Sequence, residues 1–274
     1  MTDSIYTHQM AYVAGAGRNM QHIWQSRMLW LVLSGLLVLP VRANDILRIC
    51  GDAAGWPPYT FEQDNEVRGY DADVLALILP AAGFDYEIRM LPWKRCLLEV
   101  EKGRYQIALS ASASKERKVR FLTTEPYYQV QPGYAYSLDR FPSPPLVQNS
   151  MDLKNYNICG LRGYDYNRFG IDTRWVMREA NHYAQALAQV RRGRCELFLT
   201  RLEVLHGLYR QGDVDLGDDI LFAPVPGIVA DDFVMLISRL YRRGPELKAV
   251  LDQGFSELRK QGQLRELLNF YLAE

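Results

Sequence analysis

Residues 110–128 read SASASKERKVRFLTTEPYY, and the rest of the chain is organised to present them. The segment follows Ile107-Ala108-Leu109, an apolar run with the length and flanks of a buried strand, so it starts at a strand end. Five small residues, Ser110 to Ser114, offer hydroxyls and unobstructed backbone amides. Arg117 adds a planar fork that grips a carboxylate with two parallel hydrogen bonds. That is the chemistry of an anion clamp. Taken alone, the stretch also reads as a solvated basic turn carrying Arg117, Lys118 and Arg120, so the elements around it must decide.

Before the segment the chain alternates strand and helix. Ile46 to Cys50 reads as a short strand, and Gly51 to Pro58 as a loop of turn residues. In Trp56-Pro57-Pro58-Tyr59-Thr60-Phe61 the prolines hold the backbone extended and leave Trp56 and Tyr59 as flat faces suited to stacking on a ligand, or to core packing. Gly69-Tyr70-Asp71-Ala72-Asp73 leads into a buried helix from Val74 to Ala82, with Pro80 kinking or shortening its end. Asp71 and Asp73 read as structural, capping that helix and bracing it, more than as ligand contacts. A strand at Tyr86 to Leu91 and a helix from Pro92-Trp93 through Val100 precede the strand at Ile107 to Leu109. Such alternation with short connections specifies α/β structure with parallel crossovers. Ligands in these sheets bind at the carboxyl ends of strands, where Gly51 to Trp56 and Ser110 to Arg117 both fall.

After the segment the pattern changes. Val130 to Leu138 is extended, and residues 140–149 are rich in proline and turn residues. A fresh alternation follows, with strands at Asn157 to Leu161, Arg174 to Met177 and Glu196 to Thr200. Its helices are expected after Gly163, from His182 to Arg192 and from Glu203 to Tyr209. Asp232 to Ser238 is a second extended crossing. Pro245 to Lys260 carries Leu247, Val250, Leu251, Phe255 and Leu258 at helical spacing, and a final helix is expected around Gln263 to Leu272. Two extended crossings imply two lobes joined by two hinge strands. Lobe I is then residues 44–132 plus 234–274, and lobe II residues 133–233.

The N-terminus reads as a secretory signal. Residues 28–40, MLWLVLSGLLVLP, are too short for a membrane span of about 20 residues. Arg18 and Arg27 precede them, and Val41-Arg42-Ala43 points to cleavage before Asn44. Residues 1–19 are superfluous to such a signal, which makes Met20 or Met28 a candidate start. The exported chain is expected in the periplasm. Without Arg18, Arg27, Arg42 and Asp3, it keeps 29 of 32 basic and 31 of 32 acidic residues, a net charge of about −2. That balance argues against a nucleic-acid-binding surface. The four histidines show no paired spacing for a metal, and no cofactor motif is present. All four cysteines, Cys50, Cys96, Cys159 and Cys195, lie in the exported part, where disulfides persist. Of three possible pairings the economical one gives each half its own bridge, Cys50 with Cys96 and Cys159 with Cys195.

The order of these signatures resembles the extracellular solute-binding proteins of family 3, the periplasmic amino-acid-binding type of ABC transport systems. In the first half the resemblance rests on Trp56 to Phe61, Gly69 to Asp73, Trp93, Ser112-Ala113-Ser114-Lys115-Glu116-Arg117, Phe121 and Glu125-Pro126-Tyr127-Tyr128. In the second it rests on Asp152-Leu153-Lys154, Gly160-Leu161-Arg162-Gly163, Gly193-Arg194-Cys195-Glu196 and Gly244-Pro245-Glu246-Leu247. It implies a two-lobed type 2 periplasmic-binding fold, acting as a monomer that closes around a small solute and presents itself to an ABC permease or a membrane sensor. It further implies that Arg117 pairs with a ligand carboxylate, with Ser112 beside it. Trp56 and Trp93 are then aromatic walls, and the Ser110 backbone faces the ligand. Gly163 and Tyr164 match a helix-start turn whose amides complete the anion site. Where the family carries an acidic residue for the ligand's ammonium, this chain has Arg201. A guanidinium repels an ammonium, so the expectation is a ligand with one acidic group at Arg117 and a second near Arg201. An enzyme on the same scaffold, of the cyclohexadienyl-dehydratase kind, is the competing reading. Asp165, beside the proposed anion turn, is its best candidate acid or base, and no second catalytic partner announces itself.

Overall fold

Leu47–Asp52 forms β1, every residue of which is buried except Arg48. In the computed structural model, which describes residues 46–273, this strand lies second from one edge of the first sheet. The signal segment and its cleavage point before Asn44 lie outside the described residues. A small hairpin follows, β2 (Phe61–Gln63) and β3 (Glu66–Arg68), and then α1 (Tyr70–Ile78). Pro80 does not kink α1 but ends it, opening a 3-10 turn at Pro80–Ala82 that closes on the left-handed Gly83. β4 (Tyr86–Leu91) pairs with β1 in parallel from Leu47↔Tyr86 to Asp52↔Leu91. Pro92 is the N-cap of α2 (Trp93–Glu101). β5 (Ile107–Ser112) runs parallel to β1 on its other side.

β5 is three residues longer than its apolar run, so Ser110 and Ser112 belong to the strand and not to a loop of small residues. α3 (Lys115–Arg120) starts three residues later, capped by the Ser114 hydroxyl, which accepts from the Arg117 amide at 3.3 Å. Two short strands follow, β6 (Leu122–Thr123) and β7 (Tyr128–Val130). A second sheet begins at β8 (Pro132–Ser137), fully buried along its length.

A 3-10 turn at Ser150–Asn155 leads to β9 (Ile158–Leu161), β10 (Val176–Ala180), α4 (Tyr183–Arg191), β11 (Leu197–Arg201), α5 (Leu202–Arg210) and β12 (Ile220–Pro224). The sheet order is β10-β9-β11-β8-β12, in which β9 is parallel to its neighbours and β8 antiparallel to both of its own. β12 was not expected from the sequence. Its five residues alternate too weakly in burial to be read, and the long antiparallel register with β8 is what holds it.

β13 (Asp231–Ile237) returns to the first sheet, where it pairs antiparallel with β5, β6 and β7. The segment expected as the second extended crossing, Asp232 to Ser238, coincides with this strand, whose antiparallel pairing makes the first sheet mixed. α6 (Gly244–Lys260) buries Leu247, Leu251, Phe255 and Leu258 on one stripe, and α7 (Gln263–Ala273) packs back on α6 and α1. Each half carries its own disulfide, Cys50–Cys96 and Cys159–Cys195, as the economical pairing had it. Among the described residues no helix is long and apolar enough to cross a membrane.

Candidate functional site

The carboxyl ends of β1, β5, β9 and β11 converge on one cavity. Its lining includes Trp56, Trp93, Ser110, Ser112, Arg117, Tyr164 and Arg201. Seven of the eight residues singled out in the sequence thus meet at one place, and Gly163 sits beside it in an adjoining chamber.

Arg117 is 7% exposed. Its Nη1 donates to the Ser112 carbonyl at 3.1 Å and to the Ser112 hydroxyl at 2.6 Å, and its guanidinium lies over the Trp93 ring, 5.5 Å from the centroid. These contacts hold the fork by one nitrogen and leave its other donors for the cavity. Burial pulls the Arg117 pKa below its ordinary value, and Asp165 is the strongest of the charges that oppose this.

Ser110 adopts a left-handed backbone, φ 52°, a costly conformation for a residue with a Cβ. Its hydroxyl explains the conformation: it donates to Asp71 and accepts from the Tyr128 hydroxyl at 2.8 Å. Asp71 also accepts from Thr60 and, at 2.7 Å, from Tyr127. It caps no helix, since Gly69 is the N-cap of α1 without a side-chain bond, but gathers four segments of the chain at one fully buried carboxylate. Burial pushes its pKa up to about 6 against those three hydrogen bonds. Asp73 accepts from Tyr271 and ties α1 to α7. Trp56 donates its indole N–H to Tyr128 at 3.1 Å and stacks on Phe233, with centroids 5.3 Å apart.

The turn after β9 differs from the expectation. No α-helix follows Gly163 before β10, only two three-residue 3-10 turns, at Asn167–Phe169 and Thr173–Trp175. Tyr166 folds its ring over Gly160, where a Cβ would lie 2.4 Å from the ring, and its hydroxyl accepts the Leu161 amide at 2.6 Å. The Tyr164 amide is used by Leu161 and the Asn167 amide by Asp165, so these groups close the turn instead of forming a helix-start anion site. Gly163 takes φ 86° and faces Trp93 and Lys94 across the cleft. Tyr164 reaches the opposite sheet, where its hydroxyl donates to Asp52 Oδ2 at 2.6 Å and its ring meets Trp56 edge-on at 5.6 Å. Burial raises Asp52 to about 6 despite that bond and those from the Ala54 and Trp93 backbone. The remaining cavity is about 40 Å³, room for one or two waters. Beyond Arg117, Tyr164 and Asp165 an outer chamber of about 400 Å³ opens, with Thr173 and Arg178 on its wall.

Arg201 ends β11 with its side chain buried, stacked over Phe169 at 4.5 Å. Its Nη2 is bonded to Asp231, which also accepts from Arg168. The chain itself supplies the carboxylate expected to come from a ligand. Two buried polar atoms of this region have no partner: Arg201 Nε and Asp165 Oδ2. Asp52 and Asp231 were missed in the sequence. Asp52 stands at the carboxyl end of β1, where the strand-end rule points; for Asp231 no local signal exists.

A model of the bacterial extracellular solute-binding proteins, family 3, matches residues 47–274. The chain belongs to that family. Solved structures agree on the fold of this solute-binding protein. A histidine kinase sensor domain with similarity to periplasmic binding proteins has a TM-score of 0.70 at 21% identity, over 84% of this chain and 96% of that one. The arginine-, lysine-, histidine-binding protein ArtJ of Geobacillus stearothermophilus has 0.68 at 18%, over 84% and 96%. An ancestral amino-acid-binding protein described as a precursor of cyclohexadienyl dehydratase has 0.65 at 16%, over 83% and 95%. No curated protein sequence matches this chain.

Proposed function

We propose that this solute-binding protein works in the periplasm as a monomer, capturing a small carboxylate-bearing solute, an amino acid or related organic acid, between two lobes for ABC import or sensing. Residues 44–132 with 234–274 serve as one lobe and 133–233 as the other. The observation that carries this reading is Arg117: a buried guanidinium, fixed by Ser112 and Trp93, that makes no ion pair among the described residues and lines the cavity. A buried cation without a counter-ion is costly unless an anion arrives. The solute's carboxylate is that anion, with Arg201 Nε as a second donor nearby, and the open and closed populations shift with its contacts to both lobes. Trp56 and Trp93 flank it, and Ser110 and Gly163 bring backbone close. Tyr164 must swing aside or move with its lobe, since the space it leaves is that of a water or two. The enzyme reading has less support: of the two carboxyl groups in the cavity, Asp52 is engaged by Tyr164 and Asp165 is bonded to the Asn167 amide alone.

Mass spectrometry of the solute that copurifies with periplasmic protein identifies the class. Arg117→Ala is expected to abolish its binding, measured by calorimetry, while leaving the ligand-free Tm within about 3 °C. Undiminished affinity in the variant refutes the clamp.

A further inference from the structure

Asp165 has an arrangement the carboxylate clamp does not use. Its Oδ1 accepts the Asn167 amide at 2.9 Å, which fixes the side chain, while Oδ2 is buried and bonded to nothing. The same side chain lines both the inner cavity and the outer chamber, as Arg117 does. It is the strongest favourable charge acting on Arg117, yet no ion pair joins the two. An orphaned carboxylate oxygen in a closed site is expensive and calls for a donor. Asp52 differs from Asp165, since both of its oxygens have partners, Oδ2 the Tyr164 hydroxyl and Oδ1 the Ala54 amide. Arg201 does not fill the need: its Nη2 is taken by Asp231, and its Nε, though unpartnered, is not bonded to Asp165.

We propose that Asp165 is the acceptor for an ammonium group that the solute carries next to its carboxylate, and so the residue that selects amines over other carboxylates. The proposal rests on the reading that Arg117 takes the carboxylate. Charge decides between solute classes. A zwitterion placed between Arg117 and Asp165 meets an opposite charge at each end. A dicarboxylate of the kind expected from Arg201 alone would set its second anion against Asp165. The departure at position 201 is thereby made good from a different element: the acid has moved from the end of β11 to the turn after β9, and Arg201 has turned to Asp231. The solute's tail then runs toward the outer chamber, whose wall of Thr173, Asn167 and Arg178 suits polar substituents.

The test is calorimetry with matched series, α-amino acids against the α-hydroxy and des-amino acids of the same skeleton, on wild type, Asp165→Asn and Arg117→Ala. Wild type is expected to prefer the amine by roughly 10- to 100-fold, the range for a hydrogen bond to a charged group. In Asp165→Asn, whose amide oxygen still accepts the Asn167 amide, that preference should collapse while des-amino carboxylates keep their affinity within about threefold. Carboxylate binding with no preference for the amine, or an equal preference in Asp165→Asn, overturns the assignment and leaves the Arg117 clamp standing. If wild type binds no carboxylate, or Arg117→Ala binds as well as wild type, both readings fall.

Discussion

The bond between Tyr164 and Asp52 predicts that the ligand-free protein opens as the pH rises. Asp52 is buried in the closed form, and desolvation pushes its pKa from an ordinary 3.8 up to about 6. Opening the cleft returns the carboxyl to water and its pKa toward the lower value. The closed form therefore holds the extra proton: its advantage is complete below about 3.8 and is lost as the pH climbs through 6. The difference between those two values corresponds to about 3 kcal/mol at most, or a change of about 100-fold in the open-to-closed ratio across that window. Small-angle scattering of ligand-free protein between about pH 3.5 and 7.5, a range of about four units chosen to bracket both values, should show the radius of gyration growing with pH. Asp52→Asn removes the titration while keeping an oxygen for the Tyr164 hydroxyl, and its radius should not respond to pH. Asp71, raised to about 6 by the same cause, is the internal control. All its partners lie in the first half of the chain, so its titration lowers melting temperature with rising pH without changing shape. A radius that is constant in wild type, or that changes equally in Asp52→Asn, refutes the reasoning.

Asp231 holds the buried Arg201 and the half-exposed Arg168. Asp231→Ala leaves the Arg201 charge without compensation and should cost about 3 kcal/mol or more in chemical denaturation. The double variant Arg201→Met, Asp231→Leu should recover most of that loss; a single-variant cost below about 1 kcal/mol would show the pair to be dispensable. The disulfides close loops of 46 and 36 residues, and chain entropy assigns each about 4 kcal/mol. Replacing either pair with alanines should lower stability by about 2–4 kcal/mol, with the two losses adding because the bridges lie in different sheets. Strong non-additivity in guanidinium titrations would mean the two halves are not independent.

Much of this molecule is legible locally. Alternating apolar runs fix β1, β4, β5, β9 and β11, and Pro80, Pro92, Gly83 and Pro245 punctuate helices close to where the sequence places them. Because strand ends are where α/β sheets bind ligands, the same reading finds Trp56, Ser112 and Arg117. It errs where a side chain reaches across the chain. The helix expected after Gly163 is absent because the Tyr166 ring occupies the space above Gly160 and Asp165 caps a turn. β13 is legible as an extended segment, but its place inside the first sheet is not, because its partners, β5 to β7, lie a hundred or so residues earlier.

The serine-rich stretch at 110–128 shows both sides of this division. By itself the sequence determined that a buried strand delivers hydroxyls and a guanidinium to one edge of a sheet, since periodicity, capping and punctuation act within a few residues. Only the tertiary structure decided what each charge faces: Ser110 turns inward to Asp71, Arg117 shares its cavity with Asp165, Tyr164 lies on Asp52, and Arg201 is neutralised by Asp231. A charge's partner depends on which distant segment is packed beside it and on how much water that packing removes, and neither quantity is written in the neighbouring residues.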